Sequence, residues 1–329
     1  MNSLKYILTS FILILFFSCE NELDPVLPMD PVPVVYGLLD NSDTAHWVKL
    51  TKSFILDKGL VSQNISTDSL VFPGARVFLE RWNGDYIFDR AELIPYDILR
   101  EDGLFPSTPN PHFYLPKNES TMGLFSDPNP NDVVKLIIDI PGQPVVFSQT
   151  IPLGPIKIMN PRRDGETAYF FGDKSFEIKW SAHGAYHEMY LEFCYSDHYD
   201  DSVQQRSVSW KEFHSIPGYH HSPFTDYITG TNLMIKIAAN LDPEKAVRFR
   251  TFDRIKVHFY SCDGILYTYR LTNLVKSLDH AGVQFNNIVN GMGLFGARSK
   301  AETWFGLGYL ELDSLAKGQY TKDLGFVNW

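Results

Sequence analysis

Three cysteines stand in this 329-residue chain, and two of them lie inside strand-like runs. Cys194 alternates with Glu188, Tyr190 and Glu192, and Cys262 with Lys256, His258 and Tyr260, each opposite an apolar face. A disulfide between them is one possible chemistry, and it requires their strands to be neighbours with facing side chains. Two separate thiols are the plainer reading. His198 with Asp197, Asp200 and Asp201 forms one acidic loop, and His220 and His221 follow Tyr219 in another. Histidine plus carboxylate is a metal-ligand chemistry, but two solvated loops that never meet are the simpler expectation. These five residues, His198, Asp197, Asp200, His220 and His221, are weak candidates only, and no metal or other cofactor is expected. No Cys-x-x-Cys pair, no His-Glu-x-x-His helix and no Gly-x-Ser-x-Gly elbow occurs. Gly291-x-Gly293-x-x-Gly296 fits a dinucleotide fingerprint by letter alone, because no βαβ unit surrounds it; glycines in a late strand mark a bulge or a close backbone approach. The chain is therefore expected not to be an enzyme, with a hydrolase as the remote alternative.

The third cysteine carries a different chemistry. Lys5 precedes an apolar run from Ile7 to Phe17, which ends Phe16-Phe17-Ser18-Cys19. That run is about half of the ~20 residues a membrane-spanning helix needs, so residues 1–18 read as a signal peptide. A small residue before a cysteine at this place resembles the lipobox of bacterial lipoproteins, although Phe16 replaces the usual Leu. The resemblance implies a diacylglycerol thioether at Cys19, several acyl chains holding far better than one. Residues 19–32 are acidic and then rich in proline, which suits an extended tether rather than helix or central strand. Acidic residues directly behind the cysteine resemble the surface-export signal of Bacteroidota lipoproteins. The expected location is the outer membrane, lipid-anchored and facing the exterior.

The elements that follow read as β. Aromatic residues make up 14% of the chain, net charge is −10, and 20 Pro and 22 Gly break it often. The acidic balance opposes nucleic-acid binding, and Arg162-Arg163 and Arg248/Arg250 read as isolated solvated pairs. Period-two alternation predicts strands over 32–39, 47–54, 74–82 and 86–88, 113–115, 133–140 and 144–151. Asn83-Gly84 between two of them is a hairpin signal. After a polar boundary near 155–165 come expected strands at 176–180, 186–195, 233–239, 255–261, 291–298 and 304–312, with a helix over 266–278. The fold class is all-β: an N-terminal antiparallel sandwich over 33–155, of immunoglobulin or transthyretin type, and a C-terminal module over 156–329. The latter's Trp180 strand and Tyr-rich next strand resemble strands B and C of fibronectin type III domains. Trp47, Trp82, Trp210 and Trp304 are candidates for a carbohydrate platform.

Five stretches taken together resemble one family of Bacteroidota outer-membrane lipoproteins of unknown function. They are Cys19 with its tether and Val34-Val35-Tyr36-Gly37-Leu38-Leu39; Gly74-Ala75-Arg76-Val77-Phe78-Leu79; Lys135 to Gly142; Ser148-Gln149-Thr150-Ile151-Pro152; and Asn286 to Gly296. Members commonly stand beside TonB-dependent transporters. The resemblance implies an accessory role to such a transporter or another envelope protein, and it transfers no catalytic residues. The second expectation is an adhesion or glycan-binding module working without a transporter.

Overall fold

The computed structural model describes residues 31–53, 70–98, 111–118, 124, 131–170, 174–215, 222–244, 246–276 and 285–328. Cys19 and the tether to Asp30 lie outside them, as do His220 and His221. No described helix is long and apolar enough to cross a membrane.

Val32–Trp329 forms one compact unit whose described residues are mostly strand. Its backbone is a nine-stranded sheet. Strands β1 (Pro33–Asp40), β2 (Ala45–Lys52), β5 (Ile94–Asp97) and β6 (Pro111–Pro116) form one end. Strands β12 (Tyr186–His198), β13 (Val203–His214) and β15 (Phe249–Cys262) form the other, and β16 (Met292–Leu307) joins the two. The order is β13-β12-β15-β16-β1-β2-β6-β5, with β10 (Glu166–Ala168) also on β16. Most pairs are antiparallel, but β1 and β10 both run parallel to β16.

Two smaller sheets cover successive halves of this layer. The first holds β3 (Arg76–Asn83), β4 (Tyr86–Glu92), β7 (Asp132–Asp139) and β8 (Val146–Thr150). Alternation puts Val77 and Leu79 of β3 and Val134, Leu136 and Ile138 of β7 against Val35, Val48 and Leu50. The second holds β9 (Lys157–Asn160), β11 (Ser175–Ser181) and β14 (Phe224–Thr229). There Phe176, Ile178 and Trp180 pack on Met189, Leu191, Phe193, Val257 and Phe259. The late strand β16 serves both cores, giving Phe295 and Ala297 to the first and Phe305 and Leu307 to the second.

The β3–β4 hairpin closes as its Asn-Gly signal requires: Asn83 faces Tyr86, and Gly84 takes φ +58°. One expected strand is a helix instead, and another is strand in its first half and helix in its second. Residues 233–239 belong to α1 (Gly230–Asn240), capped by Thr229, whose hydroxyl accepts the Asn232 N–H. Leu233, Met234 and Ile237 bury one stripe, and an apolar run this short fits both periods. Residues 291–307 are nearly all one strand, β16, ended by Gly308, and 309–312 begin α3 (Tyr309–Lys317). The expected helix at 266–278 is α2 (Gly264–Lys276), whose first turn is held by the Asp263 carboxylate accepting the Leu266 N–H.

Candidate functional site

Among the described residues the weak metal candidates Asp197, His198 and Asp200 do not converge. Asp197 and His198 are successive residues of β12 and so project to opposite faces. Asp197 is fully buried and accepts from Arg250 Nε at 2.8 Å and pairs with Arg206 Nε at 3.0 Å. His198 lies flat on Phe249 and shares a 2.9 Å hydrogen bond with Thr251. Asp200 is exposed and pairs with Arg248 at 3.3 Å. Among the described residues no group of three His, Cys, Asp or Glu is placed to hold a metal. Arg250 is thus not solvated, as its sequence neighbourhood implies, but 3% exposed and bonded to a buried acid.

Both inner cysteines are free thiols, which corrects the possible disulfide. Their strands are neighbours, but Cys194 faces Arg254 while Cys262 faces Tyr186. Eight residues of strand separate them, about 26 Å against the ~6 Å a disulfide spans between Cα atoms. Burial pushes the Cys262 thiol up to about 12 and raises that of Cys194, so neither is an activated nucleophile. The three glycines of the 291–296 motif are close approaches of backbone or side chain. A Cβ on Gly293, at φ +126°, would overlap the Val35 carbonyl, one on Gly291 would meet Pro33 O at 2.9 Å, and one on Gly296 would meet Leu266 at 2.7 Å. The asparagines before them fasten the segment: Asn286 Oδ1 accepts from Ile288 and Gly293 N–H, and Asn287 Oδ1 from Phe295 N–H.

What the fold does bring together is the outer face of β13-β12-β15-β16. Because Met189, Leu191 and Phe193 point into the core, Glu188, Tyr190 and Glu192 point out. His258 and Tyr260 of β15 lie beside them, with Ser209 of β13, around a trough of about 430 Å³. Two further troughs share its residues, one of about 380 Å³ through Glu192 and one of about 330 Å³ through His258 and Tyr260. Glu188 is the hub. It accepts from Lys211 Nζ, from Arg270 Nη1 of α2 at 2.6 Å, and from the hydroxyls of Tyr186 and Tyr190 at 2.9 and 3.1 Å. Glu192 takes His258 Nε2 at 2.7 Å, and the other ring nitrogen lies 3.5 Å from Glu302.

Burial works to raise the Glu188 carboxyl, but the hydrogen bonds from Lys211, Arg270 and Tyr186 outweigh it and hold it below the ordinary range. The same balance, with Ser207, His258 and Lys256 as partners, holds Glu192 down. Both carboxylates are therefore ionised and occupied at neutral pH. Neither is poised as a general acid, which needs a raised pKa. The face offers instead a fixed lattice of charges with Tyr190 and Tyr260 edge-to-face at 5.8 Å. Period-two alternation in the sequence already set these residues on one side of each strand. The pairing of β12 with β15, which makes two sides one surface, carried no sequence signal.

Of the four tryptophans that are candidates for a carbohydrate platform, Trp47 joins an aromatic group on the nine-stranded sheet, stacked on Tyr114 at 5.3 Å with Tyr96 at 6.0 Å. Trp82 lies under Lys135, Trp304 under Arg254, and Trp210 donates to Glu212 at 2.8 Å.

Comparison with curated proteins gives no match. Among solved structures, a DUF4785 family protein from Legionella pneumophila is 8% identical with TM-score 0.21, over 68% of this chain and 51% of that one, so the chain spans about half its length. The DIP-gamma IG1+IG2 structure is 8% identical with TM-score 0.19, over 85% of this chain and 99% of that one. The C-terminal globular domain of an oligosaccharyltransferase from Pyrococcus abyssi is 10% identical with TM-score 0.18, over 82% and 44%. Residues 20–303, most of the sequence, match the family described as a domain of unknown function, DUF4249, and the chain belongs to that family.

Proposed function

We propose that this chain is an exported lipoprotein, held by lipid on Cys19 at the outer membrane and facing the exterior, that binds a TonB-dependent transporter as a non-catalytic accessory. The observation that carries the binding part is the outer face around Glu188. Its acids are ionised and paired, its tyrosines Tyr190 and Tyr260 meet edge-to-face, and it lies open between strands rather than closed around a reacting group. A surface of fixed, complementary charges with aromatic anchors suits protein recognition. The anchor is supported by the apolar run ending at Cys19 and by the acidic tether behind it.

Two experiments test this reading. Labelled palmitate should enter the native protein and not Cys19→Ala, and the variant should leave the membrane fraction. Affinity isolation of the native lipoprotein should recover a TonB-dependent transporter, and Tyr190→Ala with Tyr260→Ala should weaken that recovery. Isolation that yields no outer-membrane protein counts against the accessory role.

A glycan-binding module is the second reading, favoured by Trp47, Tyr96 and Tyr114, which gather aromatic faces on one side of the sheet. Stacking of sugar rings there should give a positive glycan array for residues 33–329, and Trp47→Ala should abolish it.

A further inference from the structure

One corner of the fold is built from uncharged chain. Charged residues make up 21% of the sequence, yet stretches 31–39, 140–156 and 285–297 carry none. The fold brings these three stretches together. A Cβ on Gly291 would meet Pro33 O at 2.9 Å, Ile288 at 3.0 Å and Val146 at 3.2 Å, so the start of β1, the segment before β16 and the start of β8 touch there. Phe147 and Val289 exchange backbone hydrogen bonds of 3.2 and 2.8 Å, and Asn290 Nδ2 donates to Val145 O at 2.8 Å.

Apolar side chains stand open at this junction. Val145 is 48% exposed, Phe147 42% and Val289 45%. Alternation is the cause on β8: Val146 and Ser148 are buried, so Val145 and Phe147 turn outward. Ile137 of β7 is the cross-strand neighbour of Phe147, and Pro141 and Pro144 of the preceding turn are exposed as well. The charges nearest in register are Lys52, opposite Pro33, and Asp139, opposite an Arg76 that is itself paired with Glu92.

The position of the corner names its occupant. Because β1 begins here, the chain that leads back to Cys19 leaves the fold here. Fully extended, residues 19–32 reach at most about 50 Å, and every more compact form of the tether brings this corner closer to the lipid. The opposite end of the four-stranded sheet, with Tyr86 at its hairpin tip, lies six residues away along β7, about 20 Å. Apolar side chains enter the headgroup boundary of a bilayer readily, and charges resist it.

We propose that this corner rests on the lipid surface, with Val145, Phe147 and Val289 in the headgroup boundary and the Tyr86 hairpin turned away. The proposal rests on the lipid anchor at Cys19, and its test separates the two. The native lipoprotein is reconstituted in vesicles of phosphatidylcholine brominated in its acyl chains, once as Phe147→Trp and once as Tyr86→Trp, and the emission of the unsubstituted protein is subtracted. The indole added by Phe147→Trp should be quenched at least about twofold more than that added by Tyr86→Trp. Val145→Asp with Val289→Asp should remove this difference while leaving the circular dichroism spectrum unchanged. Equal quenching at the two positions in vesicle-bound protein, or a difference indifferent to the two aspartates, overturns the proposal and leaves the anchor standing. If the native protein does not float with vesicles, the anchor reading falls. The same comparison on residues 20–329, held by an N-terminal hexahistidine on nickel-chelating lipid, then decides the corner alone: stronger quenching at 147 supports it and equal quenching overturns it.

Discussion

At the scale of single residues, buried charge decides stability. His46 on β2 is 2% exposed, and burial, helped by Lys117 and opposed by Asp40, drives its pKa from 6.5 to about 3. The unfolded chain takes up this proton below pH 6.5, and the folded chain refuses it until pH 3. The histidine's contribution is therefore full above pH 6.5 and is lost as pH falls, at about 1.4 kcal/mol per pH unit. Glu188 and Glu192, held below their ordinary 4.5, begin to cost stability only at lower pH, so the difference between the native chain and His46→Gln over the step from pH 6.5 to 5.5 reads out His46. Urea midpoints should drop further across that step in the native sequence than in His46→Gln; equal slopes would falsify the assignment. Arg250 argues the same point through an ion pair. Its Nη1 and Nη2 also donate to Leu324 O and Asp242 O, so it closes the C-terminal segment over Asp197. Arg250→Ala leaves a buried acid with only the half-exposed Arg206, and should cost about 3–5 kcal/mol in urea unfolding. A loss under 1 kcal/mol would show that Arg206 alone suffices.

At the scale of elements, the sequence was legible where one face of a strand is buried and the other is wet. The strands β1, β2, β7, β11, β12 and β15 carry that alternation. It fails for β13, whose Val203–His214 are mostly exposed because the strand sits at the sheet's edge, and an edge strand with little core to fill has no apolar period. It fails again for α1, where Leu233–Ala239 is too short a run to distinguish two periods. For the charged face, the parity of Glu188, Tyr190 and His258 was readable, but their neighbourhood depends on pairing between strands more than fifty residues apart. The late glycines are the reverse case: a strong-looking motif whose meaning is a backbone contact. Gly293 at φ +126° seats the Val35 carbonyl of β1 where a side chain would stand. Gly293→Ala should therefore unzip the parallel β1–β16 pair, seen as fast hydrogen exchange at Val35–Leu39 and a fall in Tm above 5 °C. Gly306→Ala, which meets nothing within 4 Å, is the control and should leave both unchanged.

At the scale of the whole molecule, two apolar cores share one sheet, and this makes the halves depend on each other. The first core draws most of its side chains from residues before 155, yet it also buries Ile288, Phe295 and Ala297 from the far end of the chain. Asp263, at the start of α2, ties the ends further by accepting from Thr150 of β8 and from the Ala297 N–H of β16. The strand β16 is sixteen residues, about 50 Å, and each half of it completes a different core. Removing it strips the first core of a fully buried phenylalanine and leaves β1 as an open edge, and an open apolar edge pairs with whatever it meets. Fragments 32–155 and 156–329 expressed apart should each aggregate or give collapsed amide spectra. Expressed together they should copurify and recover the dispersion of the intact chain, because the missing strand is then supplied in trans. Thermal unfolding of the intact chain should follow one transition by both tryptophan fluorescence and far-ultraviolet circular dichroism, since Trp180 and Trp82 lie over different cores. A dispersed spectrum from either fragment alone would mean that β16 rests on a half already folded, and the single cooperative body would give way to two domains joined at a strand.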